Sequence, residues 1–205
     1  MQEKARIDEL LDRMEAASPC PYPLGVPSGR VSGSSQQGTI PSDMDPMLFG
    51  VWDLVYTSNG TAVTRTGPAQ ALILASETFP GVGVSEITQT LVRTSDRGVG
   101  TSNTAVFGLG PGGSWNVCIS GTWADRGDGR TVKVQFDNLK VRMAGFAGLT
   151  LPDWLPEVTL GPFAGTAGGR GAEWTTSYLD PDIRIGKGSS GNKFLFFRRP
   201  AVPAV

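Results

Sequence analysis

The sequence predicts an all-β protein, an antiparallel barrel or strongly curled sheet preceded by one amphipathic α-helix. Three observations predict it. Short segments rich in β-branched and aromatic residues, about nine in all, recur with gaps of a few residues between them, the spacing of hairpin-joined neighbours. Those gaps contain GP, PGVG, DRG, GPGG and DRGDG, and the chain carries 28 glycines and 15 prolines in 205 residues. Nothing after residue 18 reads as a helix of about 10 residues, which the crossovers of a parallel doubly wound sheet would need.

The helix comes first. In KARIDELLDRMEAAS, Ile7, Leu10, Leu11 and Met14 fall at i, i+3, i+4 and i+7, one apolar stripe, with Lys4/Asp8 and Glu9/Arg13 as possible ion pairs on the wet side. It should stop near Ser18, because Pro19, Pro21 and Pro23 cannot continue it. Residues 1–24 are thus a helix and its proline-containing exit, placed across a sheet or a barrel mouth. Residues 25–46 lack periodicity and are rich in Gly, Ser and Pro, the composition of a linker. Residues 47–199 carry the strands, and 200–205 form a tail.

Strands are expected over 48–58, 69–75, 84–92, 101–109, 114–124 and 130–137. In RTVKVQFDNLKVRM the apolar set Val132, Val134, Phe136 changes parity to Leu139, Val141, Met143, so a bulge or turn is expected at Asp137 and Asn138. Residues 144–171 read as irregular. EWTTSYLD, DIRIGKG and NKFLFFRR supply the last strands. In NKFLFFRR, Phe194 and Phe196 face one side while Leu195 and Phe197 face the other, so both faces want cover; the interior takes one and the N-terminal helix, a partner protein or a lipid surface the other.

Composition excludes several function classes. Eighteen Lys plus Arg against 19 Asp plus Glu make no field for nucleic acid. The absence of histidine removes Ser-His-Asp and Cys-His nucleophile systems and mixed His/Cys zinc sites. Cys20 and Cys118 have neither metal spacing nor disulfide density and are read as unpaired thiols. No apolar run is long enough to span a bilayer. The N-terminus has neither a secretory nor a transit-peptide pattern, so the protein needs no targeting or the chain begins after a removed leader.

Two glycine strings, GLGPGG at 108–113 and GKGSSG at 186–191, match the dinucleotide-loop pattern. Each is followed by a strand rather than a helix, so their glycines are expected to serve hairpin turns. DRGDGR at 125–130 is a turn and has too few carboxylates for calcium. Asp180 and Asp182 flank Pro181, with Asp180 at the favoured first position of a turn and Arg184 close enough to hold both ionised.

Gly50-Val51-Trp52, opening the first strand, resembles the lipocalin signature, in which tryptophan closes one barrel end and an arginine from a late strand packs on its ring. Arg184 and Arg198 are the candidates, each able to add a cation-π contact and bonds to nearby carbonyls. Several blocks together resemble the plastid-lipid-associated protein family, the plant fibrillins: IDELLDRMEAASPCPYPL, LFGVWDLVYTS and EWTTSYLDPDIRIGKGSSGNKFLFFRR, in the family's order at the two ends of the chain. The middle, roughly 60–170, matches only in its strand-rich character, and the 25–46 segment is longer than the family leads one to expect.

The resemblance implies an antiparallel lipocalin-like β-barrel in the chloroplast, at thylakoids or plastoglobules, that binds or organises hydrophobic molecules such as isoprenoid lipids. The family's closing block falls on Tyr178, Asp180, Asp182 and Arg184. The expected function is non-enzymatic, without metal or obligate cofactor: a quinone, carotenoid or fatty acid held in a barrel lined by Trp52, Tyr56, Phe136, Trp174 and Phe194. Tyr178, Asp180 and Arg184 are expected as polar groups at its rim. The alternative is a structural subunit docking onto a thylakoid protein complex or a prenyl-lipid biosynthetic enzyme.

Overall fold

The computed structural model describes residues 2–27, 44–58, 82–94, 98–152, 154–160 and 172–200. The expected strand at 69–75 and most of the 25–46 segment lie outside the described residues. One helix, α1 (Gln2–Ala16), precedes ten strands: β1 (Gly50–Thr57), β2 (Val82–Arg93), β3 (Val99–Leu109), β4 (Ser114–Asp125), β5 (Thr131–Phe146), β6 (Leu149–Thr150), β7 (Val158–Leu160), β8 (Ala172–Leu179), β9 (Ile183–Gly188) and β10 (Lys193–Arg198). The fold is all-β, and every pairing is antiparallel.

The strands run in the order β4-β3-β2-β1-β10-β9-β8-β5, and β5 pairs back onto β4, so the sheet closes on itself as a ring. The ring is uneven. β8, eight residues long, meets β5 only along Thr131–Val134, whereas β4 pairs with β5 over nearly its whole length. Beyond that point the free edge of β5 is taken by β7 and then β6, both drawn from the 144–171 segment that the pattern reads as irregular. Two- and three-residue strands carry too little periodicity to be seen in a sequence. The Val82, Leu109, Ser114 and Phe146 ends of β2, β3, β4 and β5 therefore extend past the closed ring as an arm.

The parity change in β5 is resolved by a bulge. Gly121 pairs with Phe136 and Ser120 with Asn138, which leaves Asp137 unpaired. Leu139, Val141 and Met143 thereby stay on the face of Val132, Val134 and Phe136. Gly121 is required opposite the bulge, because a Cβ there would lie 2.0 Å from the Gln135 carbonyl oxygen.

The hairpin turns follow from their residues. Gly110 and Gly113 (φ 57° and 81°) turn β3 into β4, and Gly191 (φ 76°) turns β9 into β10, where the Gly188 amide donates to the Asn192 carbonyl. In DRGDGR, Asp125 Oδ1 accepts from the Gly127 amide and Asp128 Oδ1 from those of Arg130 and Thr131.

α1 lies on the outside of β8, β9 and β10. On that face Ile185 is fully buried, and Leu11 of the helix is buried against the sheet while Leu10 stays exposed. Lys187 and Lys193 sit directly opposite each other, an arrangement that repels, and the helix neutralises both: Glu15 pairs with Lys187 at 2.5 Å and Asp12 with Lys193 at 2.6 Å. Tyr56 donates to Asp8 and Ser177 to Glu15. The cover that NKFLFFRR demands for its second face is thus, over β10's Leu195, this helix. The chain then turns under one end of the ring, where Leu24, Met44 and Leu48 join Trp52, Leu91, Val99, Trp123, Val132 and Leu179 in the core.

Candidate functional site

The sealed end is organised around Trp52. Its indole Nε1–H donates to the Leu48 carbonyl at 3.1 Å, and two guanidiniums approach its ring, Arg198 at 4.1 Å and Arg184 at 5.1 Å from the centroid. Arg198 is the arginine that fits the expected stacking role, since it also donates to the carbonyls of Met47, Phe49 and Pro181. Gly50 belongs to the same arrangement: its φ is 132°, and a Cβ there would stand 2.8 Å from Arg198 Nη1. Trp52 and Arg198 thus tie β1, β10, the β8–β9 turn and the segment before β1 into one closure.

Above this floor the interior becomes partly polar. Arg184 is fully buried, stacks 4.5 Å from the Phe196 ring and donates to Gln89 Oε1, while Gln89 Nε2 donates to Asn103 Oδ1 at 2.8 Å. Burial, with the like charge of Arg198 added, pushes the Arg184 pKa down to about 9. Trp174 lies over Gly186, with Phe194 at 5.0 Å and Phe196 at 6.0 Å between centroids. Further along, the inward positions of β4 and β5 are Val117, Ile119, Leu139, Val141 and Met143, all only half-buried. They form an apolar wall that the described side chains cover only in part.

The residues expected to line the interior divide. Trp52, Trp174 and Phe194 are inside, and Phe136 is on the inward face where β5 leaves β8, 36% exposed. Tyr56 is not a lining residue. A register shift at Val55 reverses the parity of β1, pairs Tyr56 with Leu195 and sends its hydroxyl to Asp8 of the helix. Burial, the bond to Asp8 and its charge raise the Tyr56 pKa.

The expected rim trio is also taken apart. Arg184 points into the interior near the sealed end, so it is neither at a rim nor the cation that holds Asp180 and Asp182. That neighbour is Arg198. Tyr178, opposite Ile185 on the outer face, donates to Asp180 Oδ2 at 2.6 Å, and Asp180 Oδ1 accepts from the amides of Asp182 and Ile183. The bond to Asp180 and burial push the Tyr178 pKa up to about 12. For Asp180, burial works upward, but the Tyr178 hydroxyl, the two amides and Arg198 outweigh it and lower the pKa. This pair builds a turn.

Gln89 and Asn103 were missed by the sequence reading, although Gln89 shares parity with Ile87 and Leu91 in VSEITQTLV, a polar residue on an apolar face. Two open hollows lie away from the interior. One of about 380 Å³ lies on the outer face against Cys118, Lys140 and Arg142, and one of about 370 Å³ at the arm's tip against Phe146 and Leu149. The arm carries exposed apolar side chains: Phe146, Leu149 at 71%, Trp154 at 79% and Val158. Both cysteines are free.

No protein-family model matches the chain, and no curated protein or solved structure matches it either. Among the described residues, no helix is long and apolar enough to cross a membrane, and no His, Cys, Asp and Glu gather in a group that could hold a metal ion.

Proposed function

We propose that this chain is a non-enzymatic lipid-associated protein of the fibrillin type, whose lipocalin-like barrel holds a hydrophobic molecule at a plastid membrane or plastoglobule surface. The observation that carries this reading is the inward apolar wall of Val117, Ile119, Leu139, Val141 and Met143, half-buried above a floor sealed by Trp52. A wall of this kind offers a long apolar ligand burial without displacing core side chains. The likeness of both end blocks to the fibrillins supplies the plastid setting and the class of ligand, an isoprenoid lipid, quinone, carotenoid or fatty acid.

The arm supports the surface association. Trp154, Leu149 and Phe146 present an aromatic and aliphatic tip of the type that sits at a lipid interface. In the second reading the same tip docks the chain onto a thylakoid protein complex or a prenyl-lipid enzyme.

The test is native mass spectrometry of the protein extracted from its own membrane, together with quenching of tryptophan fluorescence by a quinone on the delipidated protein. A co-purifying lipid and saturable quenching are expected. A lipid-free extract with no quenching by quinone, carotenoid or fatty acid refutes the binding reading. The double substitution Leu149→Ser, Trp154→Ser is expected to release the protein from lipid vesicles; retention on vesicles refutes the role given to the arm.

A further inference from the structure

The interior around Arg184 has a surplus of hydrogen-bond donors. Among the described residues its partner is Gln89 Oε1, while Nε and Nη1 are buried without one. The other end of the Gln89 amide, Nε2, is itself a donor, turned to Asn103, and cannot accept from the guanidinium. No ion pair joins Arg184 to a carboxylate among the described residues, and the charge that acts on it is Arg198, of the same sign. The faces of Trp52 and Phe196 offset part of the charge. With a pKa of about 9 the group is still cationic at neutral pH.

Four more buried polar atoms find no partner among the described residues: Nε1 of Trp123 and Trp174 and the hydroxyls of Thr101 and Thr176. Their register places them around the same interior. Thr176 pairs with Gly186, beside Arg184 along β9, and Trp174 with Val132; Thr101 pairs with Gly121, and Trp123 with Val134. Indole N–H groups only donate, and a hydroxyl can. A buried cation without a counter-charge and buried donors without acceptors are both costly, and one kind of group answers both, an anion.

We propose that the interior takes a long-chain fatty acid head-first, its carboxylate on Arg184 and its chain along Ile119, Leu139, Val141 and Met143, away from Trp52. This rests on the lipid-binding reading and narrows its ligand class. Arg198 is held at the floor by the carbonyls of Met47, Phe49 and Pro181, so Arg184 is the one cation turned to the interior above it, and a singly charged head fits better than a phosphate. A carotenoid hydrocarbon offers the guanidinium no acceptor, and a quinone's carbonyls accept but leave its charge uncompensated, so both are disfavoured against a carboxylate.

The experiment titrates the delipidated full chain with palmitic acid and with its methyl ester, following tryptophan fluorescence, for the wild type and Arg184→Met. The wild type is expected to bind the acid about tenfold or more tightly than the ester, and Arg184→Met to bind the two alike. The acid-versus-ester comparison stands on the wild type alone if the variant does not fold. Equal binding of acid and ester by the wild type overturns the carboxylate assignment and leaves the lipid-binding reading in place. Retention of the acid preference in Arg184→Met overturns it as well, and binding of neither ligand overturns both.

Discussion

Gly186→Ala tests the interior wall, because the structure gives each term of its cost. Gly186 is in ordinary strand conformation, so the new methyl costs nothing in backbone strain. A Cβ there would meet Trp174 at 2.0 Å from Cζ2, 2.5 Å from Cε2 and 2.9 Å from Cη2. The whole indole must therefore move off the sheet, away from Phe194 and Phe196. Forced overpacking costs about 1–3 kcal/mol, and loosening each aromatic pair adds about 0.5–1.5 kcal/mol. Removing a glycine from the unfolded chain returns about 0.4–1 kcal/mol. The net is a loss centred on about 3 kcal/mol, a fall of about 6–12 °C in melting temperature for a chain of this size. The control is two residues away: at Gly188 a Cβ meets only Phe194 Cε2, at 3.6 Å. Gly188→Ala should be neutral or slightly stabilising. Urea unfolding followed by fluorescence measures both, and Gly186→Ala combined with Trp174→Leu should lose less than the sum of the two single changes. Equal stability of the two alanine variants refutes the packing of Trp174 on Gly186.

Other predictions follow from the closure and the turns. Arg198→Met loses the stack on Trp52 and three carbonyl bonds and should destabilise by about 3 kcal/mol; Arg198→Lys should recover only a minor part, since a single ammonium cannot reach three carbonyls. Thermal melting of both checks this. In Asp180→Asn the Tyr178 phenol should titrate well below its value of about 12, toward the ordinary 10.0, in an ultraviolet pH titration. Because the folded-state pKa is the raised one, the stability this phenol contributes is present below pH 10 and lost as pH climbs to about 12. Cys20 is buried, its thiol donates to Asp45, and burial followed by that carboxylate pushes its pKa up to about 11. Peptide mapping after iodoacetamide treatment of the native protein should therefore find Cys118 alkylated well before Cys20.

Elements with strong local patterns were legible. The stripe of α1, the two glycine turns, the Asp137 bulge and the two-faced demand of β10 each follow from period and parity, because burial on one face fixes which residues must point together. Tyr56 was not legible. Its parity reverses at Val55, an apolar β-branched residue with no turn signature, so nothing local marks the shift. The depths of Arg184 and Arg198 were not legible either. Two arginines near the ends of adjacent strands look alike in a sequence, and only the inward pairing of Leu179 with Arg184 puts one of them inside the ring. Gln89 left a trace in its parity, but its meaning depends on Arg184, which lies 95 positions away.

The clasp of α1 on the last strands has a consequence for how the molecule is made. Tyr56 to Asp8, Ser177 to Glu15 and Lys193 to Asp8 join residues 48, 162 and 185 positions apart. β10, the furthest along the chain of the described strands, is also the one that closes the ring between β1 and β9. Until it arrives, β1 has an open edge and the apolar stripe of α1 lacks most of its surface. Closure therefore comes late and slowly, since long loops must be brought together before any contact rewards them. Until β10 is made, the nascent protein carries a sticky strand edge and an undocked helix, a form prone to aggregate.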